Sequence, residues 1–198
     1  MKILLVGASG VLGTAVAQEL GARHEIIRAG RSGADVVLDI TDANAIRAAF
    51  EKVGTVDAIV SAAGKVKFAP LAQMSTEDYG IGLADKLMGQ VNLVLIGQRF
   101  LSERGSFTLT SGVLSHDPIV AGSSASMVNG AVDSFVRAAA IELMPQRINA
   151  VSPGVLTESM AGYGPFFRGH EPVPAARAAL AFSKSVEGAL TGQVFSVL

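Results

Sequence analysis

Three glycines spaced by three residues, Gly7, Gly10 and Gly13, follow the first apolar run of the chain. Residues 3–6 are aliphatic at consecutive positions, which predicts a parallel strand buried on both faces. Gly10 would let the backbone approach a pyrophosphate, and the free amides at the start of the next helix would face the phosphates. The spacing differs from the general G-x-G-x-x-G fingerprint, and a turn that serves only close packing would have the same letters. The turn predicts a dinucleotide site made by Gly7, Ser9, Gly10, Val11, Leu12 and Gly13.

Residues at the ends of the next predicted strands extend this site. Arg31 and Ser32 stand where many dinucleotide sites place an acid that holds the ribose 2′-hydroxyl of NAD. Arg31 could instead pair with a 2′-phosphate, so NADP is predicted over NAD, although a solvated loop arginine would look the same. Asp39, followed by Ile40, could accept a hydrogen bond from an adenine amino group or serve as a turn residue. Room for a cofactor is predicted at three small residues, Ala62, Ala63 and Gly64.

The elements that must position these residues alternate between strands and helices. Strands are predicted at residues 2–7, 25–29, 36–39, 57–61, 106–111, 147–152 and 193–197. Helices are predicted at 11–20, 42–53, 68–78, 81–101, 123–143 and 173–187, and residues 157–172 are expected to form a long irregular loop. The alternation predicts one α/β domain over residues 1–198. Its expected centre is a doubly wound, Rossmann-type parallel sheet of about seven strands in the order 3-2-1-4-5-6-7, with helices on both faces.

Composition argues against several kinds of partner and site. The 198-residue chain is 49% hydrophobic and 17% charged, and its formal net charge of −1 comes without a basic cluster, so no nucleic-acid surface is expected. No apolar stretch reaches the roughly 18 residues of a membrane helix, and Gly7 interrupts the apolar start too early for a signal peptide. A cytoplasmic location is therefore expected. With no cysteine and three scattered histidines, no metal site is predicted.

Three further runs give the chain its clearest resemblance to a known family. They are Phe107-Thr108-Leu109-Thr110-Ser111-Gly112, residues 138–143 (beginning Ala138-Ala139-Ala140), and residues 147–157, which contain Asn149-Ala150-Val151-Ser152-Pro153-Gly154. With the glycine turn, Asp39-Ile40 and residues 191–194, they resemble short-chain dehydrogenases/reductases over nearly the whole chain. The resemblance implies a nicotinamide cofactor. It also implies a Ser, Tyr, Lys and Asn set that moves hydride between a carbinol and a carbonyl.

Only part of that catalytic set can be carried over to this sequence. Ser111 stands where the family's substrate-polarising serine belongs, at the end of the fifth predicted strand. The family's Tyr-x-x-x-Lys falls on Ala125 and Asn129, so the chain resembles a short branch that lacks the proton-transferring tyrosine and the lysine that lowers its pKa. The number of residues between Lys86 and Ser111 matches the usual interval between the family's asparagine and serine, so Lys86 is assigned to the asparagine position. A different alignment of this helix would place Asn92 there instead. Ser111 and Lys86 are the predicted catalytic residues.

The resemblance also assigns the nicotinamide end of the cofactor site. Thr157 matches the position at which family members bind the nicotinamide carboxamide, and Val155 offers its backbone beside it. Pro153 and Gly154 complete this set. The family further implies a homodimer or homotetramer formed through the two long helices.

Three functions agree with these residues. The leading one is an NADP(H)-binding member of this family, nominally an oxidoreductase of an unknown small molecule, whose usual catalytic set is reduced to Ser111. A second is a true reductase of a reactive substrate, with Lys86, Tyr163 or a bound water molecule in place of the missing acid. The alternative from another class is a non-catalytic sensor or scaffold in which NADP(H) occupancy reshapes the loop at 157–172 for a partner.

Overall fold

The centre of the protein is a seven-stranded, all-parallel sheet in the order β3-β2-β1-β4-β5-β6-β7, as the computed structural model of residues 1–198 shows. The strands are β1 (Lys2–Val6), β2 (Glu25–Gly30), β3 (Val36–Val37), β4 (Val56–Ser61), β5 (Leu101–Thr110), β6 (Arg147–Pro153) and β7 (Val194–Val197). The predicted fold class and strand order are confirmed.

Helices cover both faces of the sheet. They are α1 (Val11–Gly21), α2 (Ala43–Val53), α3 (Thr76–Gly82), α4 (Gly89–Gly97), α5 (Ser123–Glu142), α6 (Met160–Tyr163) and α7 (Ala175–Glu187). Side chains of β1 alternate between the two resulting cores, as the pleat of a strand requires. Ile3 and Leu5 pack in one core with α1 and α7, and Leu4 and Val6 in the other with α2, α4 and α5. The consecutive aliphatic residues of β1 are thus all buried.

The third predicted helix, at residues 68–78, is wrong. That segment holds only a 3₁₀ turn at Leu71–Gln73, and α3 begins at Thr76. Ser75 is the cap of this helix, because its hydroxyl accepts a hydrogen bond from the Asp78 amide while the Asp78 carboxylate accepts one from the Ser75 amide. The Ser75-Thr76 pair therefore marks the start of α3.

The fourth predicted helix, at residues 81–101, differs at both ends. The helical path runs from α3 through one stretch of π-helix, Leu83–Met88, into α4, and it stops at Gly97. The strand β5 begins at Leu101, earlier than the predicted residue 106, and its register with β4 shifts between Val56 and Ala58.

Two other segments differ from the sequence-based expectation. The strand β3 has only two residues, Val36–Val37. The expected irregular loop at 157–172 contains a 3₁₀ turn, Thr157–Ser159, followed by α6. None of the helices has the length and hydropathy that a bilayer-spanning segment needs.

The turn between β1 and α1 brings backbone against backbone. Gly7 has a left-handed φ of +82°, which a side chain would strain. A Cβ at Gly13 would overlap the Gly7 carbonyl oxygen and lie 2.8 Å from the carbonyl carbon, whereas a Cβ at Gly10 would meet only that oxygen at 3.5 Å. Gly13 is therefore the residue that allows α1 to start directly on the end of β1.

We expect Gly13→Ala to lower the free energy of unfolding by about 2 kcal/mol, since the methyl group must push α1 away from β1. Gly10→Ala is the matched control, because its added methyl group has room at a cap with extended backbone, and it should change stability by less than about 1 kcal/mol. Urea denaturation of both variants measures the difference, and equal losses would contradict the close contact at Gly13.

Candidate functional site

The predicted site residues lie at one edge of the sheet. Gly7 follows β1, Arg31 follows β2, Ala62 follows β4, Ser111 follows β5 and Gly154 follows β6. In open parallel sheets, ligands bind in the crevice outside the carboxyl ends of the strands. The fold thus gathers residues that are far apart in the sequence into one candidate site.

The start of α1 fits an anionic group. Its cap residue, Gly10, supplies no side-chain hydrogen bond, and the amides of the first turn, at Val11, Leu12 and Gly13, have no acceptor within the helix. Ser9 and Gly10 are exposed beside them. No acidic residue stands in this first turn. Unpaired amides and the positive end of the helix dipole suit the pyrophosphate of a dinucleotide, so the residues present fit that group.

The loops after β2 and β3 carry the next part of the predicted cofactor site. Arg31 and Ser32 are exposed, and the Arg31 guanidinium makes no hydrogen bond or ion pair within the protein. Asp39 Oδ1 accepts from the amide of Thr41 at 2.9 Å and from its hydroxyl at 2.7 Å, so Asp39 is a turn residue. These bonds from Thr41 lower the pKa of Asp39, and the nearby charge of Arg31 contributes. The turn occupies one carboxylate oxygen and leaves Oδ2 without a protein partner.

Ile40 contributes only its backbone to this edge, because its side chain is buried against α4 at Gly89.

Two separate contacts explain why the residues after β4 are small. A Cβ at Gly7 would lie 2.8 to 2.9 Å from the backbone of Ala62 and Ala63, so the turns after β1 and β4 touch. At Gly64, with φ of +142°, a Cβ would lie 2.7 Å from Cγ of Lys86. Gly64 thus makes room for a lysine side chain, which the sequence pattern did not indicate.

A cavity of about 410 Å³ opens at the same edge. Its lining includes part of the predicted cofactor set, Gly64, Pro153, Gly154 and Val155, together with both predicted catalytic residues, Ser111 and Lys86. The other predicted cofactor residues do not line it. The cavity therefore adjoins the predicted cofactor residues at the end that was expected to hold the nicotinamide.

Lys86 projects into the cavity from the π-helical stretch between α3 and α4. Insertions of this kind change which side chains face inward and often occur at functional sites. The Lys86 ammonium donates to the carbonyl oxygen of Ser111 at 2.8 Å and has no carboxylate within ion-pair distance. Burial lowers its pKa to about 8, and the negative charge of Asp133 opposes that shift. The cavity is thus lined by a half-buried ammonium whose pKa, about 8, is well below that of an ordinary lysine.

Two more polar groups face the same space without protein partners. The Ser111 hydroxyl and the Asn129 carbonyl oxygen are buried and accept no hydrogen bond. Ala125 lies one turn before Asn129 on α5, and both residues line the cavity. Ser111, Lys86 and Asn129 therefore form one polar end, at which a ligand oxygen could be bound.

The sequence did not indicate a role for Asp133, which is buried on α5. Its Oδ2 accepts from the Ser115 hydroxyl at 2.8 Å, and Nε2 of the exposed His116 lies 3.7 Å from the same oxygen. A buried carboxylate needs charge or hydrogen-bond compensation, which here comes from the Ser115 hydroxyl and from the charge of Lys86, while Oδ1 has no partner. Spacing alone could not reveal it, because these residues lie on separate elements.

The residues after β6 are held by the strand-like pairing of Leu156 with Val173. The Val155 carbonyl accepts from the Val173 amide at 2.8 Å, and the Thr157 amide donates to the Val173 carbonyl at 2.9 Å. The Val155 amide and the exposed Thr157 hydroxyl are left without protein partners. Tyr163 on α6 lines the cavity, so the loop does bring this tyrosine to the site.

Comparison with known proteins agrees with this architecture. The family described as Enoyl-(Acyl carrier protein) reductase matches residues 7–197. Versicolorin reductase 1 of Dothistroma septosporum is 31% identical over 192 residues, which cover 80% of this chain and 71% of that protein. The crystal structure of the protein lin1944 from Listeria innocua is 52% identical, with a TM-score of 0.98 over 100% of both chains.

A small-chain dehydrogenase solved in complex with NADPH has the same fold, with a TM-score of 0.87 at 24% identity over 100% of this chain and 96% of that one. The family match spans nearly the whole chain, and the reductase from Dothistroma exceeds 30% identity over most of both sequences. The chain therefore belongs to the short-chain dehydrogenase/reductase family of oxidoreductases, whose members bind a nicotinamide cofactor.

Proposed function

We propose that the protein binds NADP(H) along the carboxyl edge of the sheet and reduces a small carbonyl compound, with Lys86 and Ser111 replacing the usual Tyr-x-x-x-Lys pair. The observation that carries this proposal is the Lys86 ammonium, which is half-buried at the cavity 2.8 Å from the Ser111 carbonyl oxygen. When bound, the cofactor supplies the hydride. The protein's own side chains must hold the carbonyl and supply the proton.

The cofactor is assigned to the residues that have unpaired polar groups at this edge. The amides at the start of α1 and the Ser9 hydroxyl would hold the pyrophosphate, beside Ala62, Ala63 and Gly64. Asp39 Oδ2 would accept from the adenine amino group, and the Val155 amide and Thr157 hydroxyl would hold the carboxamide. NADP(H) is proposed over NAD(H) because Arg31 is exposed, unpaired and next to Ser32.

Lys86 is proposed as the acid because its ammonium lies 2.8 Å from the backbone carbonyl of the predicted serine and is partly shielded from solvent. A carbonyl oxygen placed between the Ser111 hydroxyl and the Lys86 ammonium would receive a hydrogen bond from each. The positive charge of the ammonium would then lie beside the oxygen on which negative charge develops in the transition state. A pKa of about 8 allows Lys86 to release its proton near neutral pH. Ala125 and Asn129, which replace the tyrosine and lysine, have no acidic proton to offer.

The proposal includes a cytoplasmic homodimer or homotetramer. Large apolar side chains are exposed on the two long helical segments that the family resemblance implicated. Leu95 on α4 is 53% exposed and Ile141 on α5 is 79% exposed, and Met127 lies on the same helix. Burial of these side chains against a second copy would remove apolar area from water.

For the cofactor, we expect Arg31→Ala to weaken NADPH binding by about 10- to 100-fold and to leave NADH binding unchanged, because only NADPH has the 2′-phosphate. Titration calorimetry with both cofactors measures this change. Arg47→Ala, which removes an exposed arginine from α2, is the control and should alter neither affinity. An equal loss for NADH and NADPH would contradict the assignment of Arg31 to the phosphate.

For Lys86, we expect the rate of NADPH-dependent reduction to fall about tenfold per pH unit above pH 8, since the acid must carry its proton. Steady-state kinetics over a range of pH measures the profile. Lys86→Met should abolish both the turnover and its pH dependence, whereas Lys52→Met on α2 should keep the wild-type profile. Full turnover by Lys86→Met would contradict the role of Lys86. Tight NADPH binding with no turnover by the wild-type protein would favour a cofactor sensor.

The same titration predicts a change in stability that is independent of activity. Because the pKa of Lys86 is lowered from 10.5 to about 8 in the folded protein, the unfolded chain binds more protons between these values. Stability from this group therefore rises as the pH increases through that window. Below pH 8 Lys86 is charged in both the folded and the unfolded state, and the desolvation of this charge lowers the free energy of unfolding by its full amount. Lys86→Met should therefore raise the denaturation midpoint below pH 8, and this gain should shrink toward pH 10.5.

For the missing pair, we expect the triple substitution Lys86→Asn, Ala125→Tyr and Asn129→Lys to raise turnover of simple ketones by at least about 100-fold. These changes restore the residue types that the family uses, and Ala125 already faces the cavity. The same triple variant with Ala125→Phe in place of Ala125→Tyr is the control, because it fills the space without a hydroxyl. Equal rates for the two triple variants would show that the absence of the tyrosine does not limit the wild-type protein.

A further inference from the structure

The cavity has an aromatic wall formed by Phe68, Tyr163 and Phe167. The ring centroids of Phe68 and Tyr163 are 5.5 Å apart and edge-to-face, and those of Tyr163 and Phe167 are 6.5 Å apart and also edge-to-face. Tyr163 is 43% exposed, whereas Phe167 is buried. The three packed rings thus form one aromatic part of the cavity lining.

The rest of the cavity limits what can lie against this wall. Val66, Val113 and Val155 are apolar lining residues, Ser111, Lys86 and Asn129 contribute polar groups, and the exposed Lys65 and Lys67 also belong to the lining. Rings prefer stacked or edge-on contact with other rings, so a flat ring system suits the aromatic wall. A carbonyl at one edge of that ring would meet the polar group. The lining thus favours a planar, mostly apolar carbonyl compound.

The missing tyrosine restricts the substrate further, on chemical grounds. Hydride addition to an ordinary ketone leaves an alkoxide, a much stronger base than a phenolate, and a well-placed acid must protonate it. Two-electron reduction of a quinone leaves the anion of a phenol, whose pKa is near the value of about 10 for a tyrosine side chain. Such an anion needs only a nearby cation and a hydrogen bond. Lys86 and Ser111 supply these two groups and little more.

We propose that the cavity binds planar, apolar quinones and that the protein reduces them to hydroquinones, with the ring against Phe68 and Tyr163 and one carbonyl at Ser111 and Lys86. This inference rests on the proposed function, which supplies NADPH as the reductant. The quinone accepts one hydride, which carries two electrons, and one proton from solvent through Lys86. The products are the hydroquinone and NADP⁺, so atoms and charge balance.

The first test is binding in the absence of cofactor, with menadione as the quinone and α-tetralone as a ketone that has a similar pair of fused rings. Titration calorimetry should give a dissociation constant for menadione that rises roughly three- to tenfold in Phe68→Leu, because the aromatic face is lost while apolar volume remains. Phe195→Leu is the control, since Phe195 lies in β7 under Lys184 and outside the cavity, and it should bind menadione as the wild type does. Equal affinity in Phe68→Leu and the wild type would overturn the placement of the ring.

The second test is NADPH oxidation with the two compounds, after subtraction of the rate without protein. We expect menadione to turn over at least about 100-fold faster than α-tetralone. The chain has no cysteine, so addition of a thiol to the quinone cannot account for quinone loss. Product analysis should show one hydroquinone for each NADPH oxidised.

The possible outcomes separate this inference from the proposed function. Turnover of α-tetralone at the menadione rate would overturn the quinone preference and leave the oxidoreductase proposal intact. Menadione turnover that persists in Lys86→Met while Phe68→Leu loses affinity would support the quinone site and overturn Lys86 as the acid. No turnover of either compound, with NADPH bound, would overturn both proposals.

Discussion

The contact on which the site depends is the one between the end of β1 and the start of α1. Gly7 turns the chain with a left-handed φ, and Gly13 has no Cβ to separate the two backbones. This contact keeps the first turn of α1 at the carboxyl edge of the sheet, beside the residues that follow β4. A bulkier residue at either glycine would move the unpaired amides away from the crevice in which the other candidate residues lie. The same contact that stabilises the domain therefore positions its anion site.

The part of the candidate site that contains Lys86 and Ser111 depends on a different structural feature. One stretch of π-helix carries Lys86, and the absence of a side chain at Gly64 allows the lysine to pass toward the Ser111 carbonyl. Ser111 in turn is fixed by β5, whose last residues pair with β6. An ammonium, a hydroxyl and an amide thus come from three separate elements, α5 included. These elements place a cation and two neutral polar groups in the lining of one cavity at the carboxyl edge of the sheet.

The parts of the fold that the sequence predicted are those with a repeating physical signal. Aliphatic runs such as residues 3–6 and the regular alternation of elements were sufficient for the sheet, its order and its two faces. Helix limits between 68 and 101 were wrong, because α3 begins only at the Ser75 cap and because a π-helical stretch has no simple periodicity. Neighbouring pairs such as Gly64 with Lys86, or Asp133 with His116, could not be predicted because their members meet only in three dimensions. The roles of the site residues remain predictions.

The position of β1 in the sheet has a consequence for how the protein is made. This strand pairs with β2 on one side and with β4 on the other, and Leu4 and Leu5 face opposite cores. During synthesis β1 and β2 are therefore made before α2, and β4, the second neighbour of β1, is made only after it. Until then one edge of this apolar strand is unpaired, and unpaired apolar edges are where chains associate wrongly. The interval between the synthesis of β1 and that of β4 is therefore a stage at which the nascent chain is exposed to aggregation.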